Sequence, residues 1–252
     1  MRHVSIESRE SIAVVRIDRP PANALDIELG AELLEAAAEL ERSEPDAIVI
    51  TGHDGFFSAG LDLNLVPTLD ARAQIEMVMG VNRLVAAWYG LPRPVVAGVN
   101  GHAIAGGLVI ALCADYRVGS QQGKLGLTEA RVGVPYPANA LAVVTAELSA
   151  PVARLLVLRA NLIDPRDALA LGVVDEITAR DAVMGRALEM AAELGDMPSD
   201  AYATVKGQLR GPALAEMRRV VESGTDPLAQ SWLSAETSSA SAAALGGNRR
   251  SG

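Results

Sequence analysis

Residues 100–118 read NGHAIAGGLVIALCADYRV, and the fold is decided around this stretch. Directly before it, Pro94–Val99 (PVVAGV) is an unbroken apolar run, which predicts a buried strand. Asn100–Gly101 predicts a turn. The residues from Gly106 to Ala114 predict a buried helix, and Tyr116–Val118 predicts a further short strand. A strand, a glycine-rich loop, a helix and another strand indicate an α/β protein.

The same order of elements occurs earlier in the chain. Ser11–Ile17 (SIAVVRI) and Ala47–Thr51 (AIVIT) predict two further strands, and the second leads into a Gly- and Phe-rich loop at Gly52–Gly60. The residues from Asp70 to about Gly90 have helical periodicity.

A helix is also predicted between these two strands, from the N-cap Asp26 to about Arg42. It carries two stripes at helical spacing. The polar stripe is interpreted as a solvated face and consists of Glu28, Glu32, Glu35 and Glu39. The apolar stripe is predicted to be buried and consists of Ile27, Ala31, Leu34 and Ala38.

The later part of the chain is mostly helical in pattern. Helices are predicted at Ala138–Leu148, Pro151–Arg159, Asp164–Leu171 and Asp181–Leu194, with two more after Ser199, and one strand is predicted at Val173–Ile177. We therefore expect a sheet-containing core over residues 1–197, a helical region over residues 198–236 and a flexible tail over residues 237–252.

Composition narrows the classes of function. Half of the 252 residues are apolar, so a large core can form, and the net charge of −9 argues against nucleic acid or an anionic membrane as partner. The single cysteine, Cys113, has apolar neighbours and is predicted to be a buried thiol. The histidines lack metal-ligand spacing. Because the segment from Met1 to Glu10 is charged and lacks a signal peptide's apolar core, we expect a cytoplasmic protein.

The sequence does not match three familiar functional motifs. Gly101–Gly106 has the glycine spacing of a P-loop, but Gly107 stands where the loop requires lysine. No G-x-G-x-x-G dinucleotide fingerprint follows a strand. Ser58, in GFFSAG, does not lie in a G-x-S-x-G nucleophile elbow.

Two glycine-containing loops, Phe57–Leu63 and Asn100–Gly107, remain as candidate functional segments. Glycine lets the main chain approach a ligand closely, and the start of a helix offers unpaired N–H groups. The two loops could direct N–H groups at one developing oxyanion. Two tight strand-to-helix turns without chemistry are an equally good interpretation of these residues alone.

Five segments in order resemble the crotonase (enoyl-CoA hydratase/isomerase) family. FFSAGLDL resembles its first signature and NGHAIAGGLVIALCADYRV its second, and the other three segments are RPPANAL (19–25), LGLTEARVGVPYPANAL (125–141) and DALALGVVDEI (167–177). The resemblance extends over roughly residues 4 to 235. It implies a crotonase (ClpP-like) ββα spiral with a C-terminal helical trimerisation region, a homotrimer or hexamer, and an acyl-CoA substrate of fatty-acid metabolism such as β-oxidation. No permanently bound cofactor or metal is implied, since coenzyme A is part of the substrate.

The resemblance also assigns site residues. The backbone N–H groups of Leu61 and Gly106 would form the oxyanion hole. The residues implied to bind coenzyme A are Arg19, Ala22, Ala24, Ala59, Gly60, Leu61, Asp62, Leu63 and Gly106. Lys206 is a candidate for a contact with a CoA phosphate, although a surface lysine is the simpler interpretation.

The family's hydratases use two glutamates, and this chain matches one of the two positions. Val109 stands at the first position and Glu129 at the second. One carboxylate suits proton shuttling, so we expect isomerisation of 3-enoyl-CoA to 2-enoyl-CoA, with Val109, Val134 and Tyr136 in the substrate pocket. Hydratase or other lyase activity, a hydrolase, and non-catalytic acyl-CoA binding remain alternatives. Asp62 is expected to cap the helix after the first loop, and His102 to pack or bind backbone.

Overall fold

A computed structural model of the chain describes residues 1–53 and 55–232. Nine strands are present among these residues: β1 (Val4–Arg9), β2 (Ile12–Ile17), β3 (Ala47–Thr51), β4 (Phe56–Ser58), β5 (Val95–Val99), β6 (His102–Ile104), β7 (Tyr116–Ser120), β8 (Leu125–Gly126) and β9 (Glu176–Thr178). The predicted tail, residues 237–252, lies outside the described part of the chain.

The described residues also form nine α-helices. They are α1 (Ile27–Ser43), α2 (Ala71–Tyr89), α3 (Gly106–Leu112), α4 (Ala138–Glu147), α5 (Ala150–Arg159), α6 (Pro165–Ala170), α7 (Val183–Gly195), α8 (Ser199–Ser223) and α9 (Ala229–Trp232). Asp26 accepts a hydrogen bond from Leu29 N at the start of α1, as predicted, and Asp70 accepts one from Ala73 N at the start of α2.

The strands form two sheets joined by a repeated ββα pattern. The larger sheet has the order β1-β2-β3-β5-β7-β9, and the smaller one has the order β4-β6-β8. Each of β3, β5 and β7 is followed in sequence by a strand of the smaller sheet, so the chain alternates between sheets as it advances. All pairings other than β1 with β2 are parallel.

Both faces of the larger sheet are covered, which explains the unbroken apolar strands in the sequence. On one face, Val14, Val49 and Val96 pack against residues of α7. On the other face, alternate residues such as Ile48 and Ala97 join the main core with α1 to α4. The buried strands predicted from the sequence are therefore confirmed.

Four strands are missing from the sequence-based prediction. β1 reads VSIESR and has a single buried residue, Val4, so its edge position leaves little apolar signal. The strands of the smaller sheet, β4, β6 and β8, have two or three residues each and are too short to show a period.

The predicted faces of α1 are wrong. Its buried residues are Leu29, Glu32, Leu33, Ala36, Ala37 and Leu40. Ile27 and Ala31, which the apolar stripe assigned to the core, are exposed. Glu32, assigned to solvent, is buried because its carboxylate accepts hydrogen bonds from the backbone N–H groups of Arg2, His3 and Val4 at 2.7, 2.7 and 2.9 Å. Burial opposes ionisation, but these three donors outweigh it and lower the pKa of Glu32.

A buried ionic cluster attaches α8 to the core. Asp115, which follows the end of α3, accepts a hydrogen bond from Val95 N at 2.8 Å and pairs with Lys206 at 2.7 Å and Arg210 at 3.1 Å. Arg210 also donates to Cys113 O and to the carbonyl of the next residue, at 3.0 and 3.1 Å. Asp115 thus has a structural role, and Cys113 is the buried thiol expected.

Candidate active site

The first glycine-containing loop is attached to the N-terminal RPPANAL segment. Asn23 is buried and donates to the carbonyls of Ile17, Phe56 and Phe57 at 2.9–3.2 Å. Ser58 Oγ donates to Asn23 O at 2.7 Å and accepts from Gly60 N at 3.1 Å. These bonds hold the Ala59–Leu63 stretch in one position.

Arg19 joins the same two segments through a hydrogen bond and two ion pairs. Its guanidinium donates to Ala24 O at 2.9 Å and pairs with Asp26 at 2.8 Å and Asp62 at 3.3 Å. Ala59 N donates to the carbonyl of residue 22 at 3.0 Å. The residues implied to surround coenzyme A are therefore brought together, except for Lys206. Because two carboxylates already bind Arg19, its guanidinium has a structural task at this position.

The backbone N–H of Leu61 faces away from its hydrogen-bonded neighbours. Leu25 N donates to Gly60 O at 2.7 Å, and Asp62 N donates to Leu25 O at 2.8 Å, so Leu25 occupies the groups on both sides of Leu61. In such a bridge the intervening residue points its N–H to the opposite side. Within the described residues, Leu61 N–H has no protein acceptor.

Gly106 brings the second N–H close to the first. It is the first residue of α3, so its N–H has no partner within the helix. A Cβ at Gly106 would lie 4.0 Å from Leu61 N and 3.7 Å from Gly60 Cα. The preceding residue, Ala105, has φ +51° and ψ −126°, a strained conformation for a residue with a side chain. Strain of this kind is typical of a backbone held in place for a functional purpose.

An apolar cavity with a volume of about 70 Å³ opens beside these two N–H groups. Both segments line it, through Ala59, Leu61, Ala105 and Gly106. Its other walls include Val109, Ile110, Val132, Val134, Ala140 and Trp232. Val109 and Val134 are thus in the pocket where the sequence placed them.

Glu129 supplies the carboxyl group of this cavity. It begins a 3₁₀ turn, Glu129–Val132, lines the cavity and is 7% exposed. Of the described residues that line the cavity, Glu129 alone has an ionisable side chain. Burial raises its pKa to about 7, against partial opposition from the Tyr136 hydroxyl and the backbone N–H of Glu129. A carboxyl group in this state can accept or release a proton near neutral pH.

Tyr136 lies behind Glu129 and is not on the cavity wall. Its hydroxyl interacts with the Glu129 carboxylate, and burial together with that negative charge raises the pKa of Tyr136. Tyr136 Oη and Glu129 Oε2 are both buried, and neither has a hydrogen bond of regular geometry within the described chain. Tyr136 therefore acts on the carboxyl group and does not line the acyl pocket as predicted.

Two other predictions require correction. Lys206 is buried and is not the surface lysine of the simpler interpretation; its ammonium group binds Asp115 at 2.7 Å and Arg93 O at 2.9 Å, and it does not line the cavity. Asp62 does not cap the following helix; it accepts a hydrogen bond from Asn64 N at 3.1 Å and closes a turn.

The prediction for His102 is confirmed. Its ring stacks on Phe56 with 4.6 Å between the ring centroids, and it does not line the cavity. Burial lowers the pKa of His102 below its ordinary value.

Sequence reasoning missed Asn23 and Trp232. Asn23 lies inside the RPPANAL segment, and its φ of +51° is a conformation that asparagine tolerates, which is a signal that could have been used. Trp232 is 1% exposed, lines the cavity, and packs in one apolar cluster with Val66, Met77 and Val134. No local motif around Trp232 indicates this position, because its contacts are with residues that are distant in the sequence.

The described residues contain no cluster of three His, Cys, Asp or Glu side chains that could hold a metal ion. None of their helices is long and apolar enough to cross a membrane.

The comparisons with known proteins agree with this geometry. A family model described as enoyl-CoA hydratase/isomerase matches residues 7–236. A probable enoyl-CoA hydratase from Mycolicibacterium paratuberculosis is 36% identical over 230 residues, which cover 87% of this chain and 89% of the relative. The chain therefore belongs to the enoyl-CoA hydratase/isomerase family, the crotonase superfamily, and processes acyl-CoA thioesters.

Solved structures agree on the fold. The apo structure of an enoyl-CoA isomerase from Mycobacterium tuberculosis has a TM-score of 0.82 and 31% identity, and the match covers 88% of this chain and 97% of that one. Human mitochondrial Δ3-Δ2-enoyl-CoA isomerase has a TM-score of 0.93 at 23% identity, with coverage of 99% and 100%. The predicted crotonase α/β fold is thus confirmed.

Proposed function

We propose that this enzyme isomerises 3-enoyl-CoA thioesters to 2-enoyl-CoA thioesters, with Glu129 as the acid and base. The observation that carries the proposal is the single ionisable side chain on the described cavity wall, beside two unpaired backbone N–H groups. One group that takes a proton and returns it meets the needs of an isomerase. Hydration uses a water molecule that must itself be positioned and deprotonated.

The proposed reaction conserves all atoms. The Glu129 carboxylate removes a proton from C2 of the substrate, and the electron pair of that C–H bond moves into an enolate of the thioester. The N–H groups of Leu61 and Gly106 stabilise the enolate oxygen, a task for which one donor typically contributes about 2.7–4 kcal/mol. Glu129 then returns the proton to C4, and the double bond moves from C3–C4 to C2–C3.

The Val109 side chain argues against a hydratase, whereas the description of a relative argues for one. Val109 is 1% exposed in α3, and its side chain can neither titrate nor bind water. The relative from Mycolicibacterium paratuberculosis is nevertheless described as a probable hydratase. Hydration of 2-enoyl-CoA is therefore the second candidate for this site.

The position of coenzyme A and the assembly are also proposals. We place coenzyme A against the RPPANAL segment and the Ala59–Leu63 stretch, because these residues lead directly into the cavity. We propose self-association as a trimer or hexamer through the helical region after residue 197. In support, Val205 and Leu209 on α8 are 61% and 81% exposed, which is unusual for apolar side chains without a partner surface.

The first test uses two substrates. Purified protein is incubated separately with trans-3-hexenoyl-CoA and crotonyl-CoA, and products are followed by chromatography and mass. We expect conversion of the first without a change of mass and little reaction of the second. Rapid addition of water to crotonyl-CoA would instead establish the hydratase, and binding of both esters without turnover would indicate a non-catalytic protein.

The second test removes the proposed base. Glu129→Gln keeps the shape of the side chain but cannot take up a proton, so we expect turnover of trans-3-hexenoyl-CoA to fall about 10²–10⁴-fold. Glu35→Gln, on the exposed face of α1, is the matched control and should leave turnover unchanged. Near-normal turnover by Glu129→Gln would exclude the mechanism.

A further inference from the structure

A second apolar space lies between α1 and α2 and has a volume of about 240 Å³. From α1 it is lined by Ile27, Ala31 and Leu34, the same residues that the sequence assigned wrongly to the core. From α2 it is lined by Met77 and Gly80, among others. The apolar stripe of α1 therefore faces this groove, which we call the α1–α2 groove.

The α1–α2 groove adjoins the catalytic cavity. Leu25, Leu61, Val81 and Leu84 line both spaces, so these four side chains form a shared wall. Leu61 is also a proposed oxyanion-hole residue, which places the groove next to the reacting thioester. The groove offers about 240 Å³ of further apolar space beside the cavity.

Two glycines line the groove from opposite helices. Gly30 lies within α1 and Gly80 within α2, and both line the groove. Glycine weakens a helix interior, and it is usually retained there because a neighbour approaches closely. At neither position does that reason hold, since an added Cβ would meet no atom within 4 Å. What the two glycines have in common is the free space between the helices.

Charged groups stand at the edge of the groove and are paired with one another. Asp26 pairs with Arg19, and Glu76 pairs with Arg83. The lining between these pairs is apolar, so the occupant that fits it is an uncharged hydrocarbon chain.

We propose that the α1–α2 groove binds the distal part of a long acyl chain, so that the enzyme prefers long-chain acyl-CoA thioesters. This inference rests on the acyl-CoA site of the proposed function. The thioester and the first carbons lie in the catalytic cavity, and the tail passes the shared wall when Leu61, Val81 or Leu84 changes rotamer. Each methylene that becomes buried should tighten binding about fourfold.

The test measures binding of unreactive esters, so it does not depend on which reaction the enzyme catalyses. Dissociation constants of butyryl-CoA and dodecanoyl-CoA are measured by calorimetry for the full chain and for Gly30→Leu and Gly80→Leu, which fill the groove from opposite walls. Gly185→Leu in α7 is the matched control, because Gly185 is also inside a helix with no atom within 4 Å of an added Cβ. Thermal melting verifies that each variant folds.

For the unsubstituted protein we expect dodecanoyl-CoA to bind at least tenfold more tightly than butyryl-CoA. Each groove variant should reduce that preference to less than threefold while leaving butyryl-CoA binding within twofold, and the control should change neither. Equal binding of the two esters by the unsubstituted protein would overturn the proposal. An equal loss for both esters in the groove variants would also overturn it, because the groove would then hold the CoA arm. Unchanged binding of both esters would overturn it as well, because the acyl chain would then lie elsewhere.

The proposed isomerase reaction can fail independently. If trans-3-hexenoyl-CoA is not converted but the chain-length preference and its loss are observed, the groove assignment stands and the reaction assignment does not. If turnover occurs and the preference is absent, the reaction stands and the groove does not. Two variants on two helices keep the experiment decisive even if one of them fails to fold.

Discussion

At the scale of single residues, the proposed chemistry depends on a carboxyl group surrounded by apolar side chains. Val109, Val132 and Val134 line the cavity that Glu129 faces. Such surroundings penalise the charged form of the carboxyl group and raise its pKa to about 7. The same burial that adapts the group to proton transfer therefore costs folding free energy whenever the group is ionised.

The pH dependence of activity follows from the requirement for an ionised base. Because Glu129 must be a carboxylate to remove the C2 proton, kcat/KM for 3-enoyl-CoA should rise as pH increases and level off above an apparent pKa of about 7. Initial rates at low substrate concentration between pH 5 and 9 measure this profile. A plateau that already begins near pH 5 would show that the essential group is not a carboxyl group of raised pKa.

The contribution of Glu129 to the free energy of unfolding should have the opposite pH dependence and fall as pH rises. The pKa of Glu129 is about 7 in the folded chain and 4.5 as its ordinary value, so between these values the folded state binds more protons than the unfolded state. Its contribution is fully favourable below pH 4.5 and is lost as pH rises to about 7, a difference of about 3 kcal/mol. Urea unfolding should therefore show Glu129→Gln to be more stable than the unsubstituted protein at pH 8 but not at pH 4.5.

The exposed Glu35→Gln is the control for that measurement. It changes the net charge by the same amount without a buried carboxyl group, so its stability relative to the unsubstituted protein should be almost independent of pH. A similar pH dependence in both variants would attribute the effect to overall charge.

At the scale of elements, the site is a contact between two backbone segments. Gly60 has φ +78°, and an added Cβ would lie 2.8 Å from Ile104 O and 2.9 Å from Gly106 N. The two proposed N–H donors can approach one another only because residue 60 has no side chain. The glycine is therefore required both by its backbone conformation and by the space available.

Gly60→Ala should separate the two segments. We expect loss of at least tenfold in kcat together with a lower free energy of unfolding, because the added methyl group meets backbone that cannot rotate away. Gly172→Ala is the matched control, since Gly172 has φ +72° but no atom within 4 Å of an added Cβ. It should lose about 1 kcal/mol of stability without loss of kcat. Equal kcat in the two variants would show that the contact between the segments is unimportant.

The elements also show where sequence reasoning succeeds. Strands covered on both faces, such as β3 and β5, and capped helices, such as α1 and α2, were predictable because local pattern and tertiary environment agree. The buried face of α1 was not, because its apolar stripe lines the α1–α2 groove while Glu32 binds the start of the chain. A residue pattern indicates apolar and polar sides, but it does not indicate which partner each side meets.

The residues of the candidate site also differ in whether a local sequence pattern could predict them. Leu61, Gly106, Val109 and Glu129 lie in contiguous motifs that the sequence singled out, and all four line one cavity. Trp232 could not be assigned, because it comes from the far end of the described chain and reaches the cavity only through the packing of α9 against α2. Long-range placement of this kind leaves no local signal in the sequence.

At the scale of the whole molecule, α8 connects the late helices to the core that carries the site. Arg210 binds the carbonyls at the end of α3, and α3 begins at Gly106. Asp115 accepts a hydrogen bond from Val95 N of β5 and pairs with Lys206 and Arg210 of α8. The buried ionic cluster thus attaches the helical region to the same element that supplies one of the two proposed oxyanion-hole N–H groups.

Lys206→Met tests whether this lysine is structural or binds coenzyme A. Methionine fills similar space but leaves Asp115 buried with one cation fewer, so we expect a loss of about 2–4 kcal/mol in the free energy of unfolding. Binding of butyryl-CoA should stay within twofold, because the ammonium group lies outside the cavity. Lys124→Met is the control: Lys124 pairs with Asp164 at 2.7 Å but is 44% exposed, so its loss should cost less than about 1 kcal/mol. A tenfold weaker affinity for butyryl-CoA with unchanged stability would instead return Lys206 to the coenzyme A site, and it would require α8 to reposition when the thioester binds.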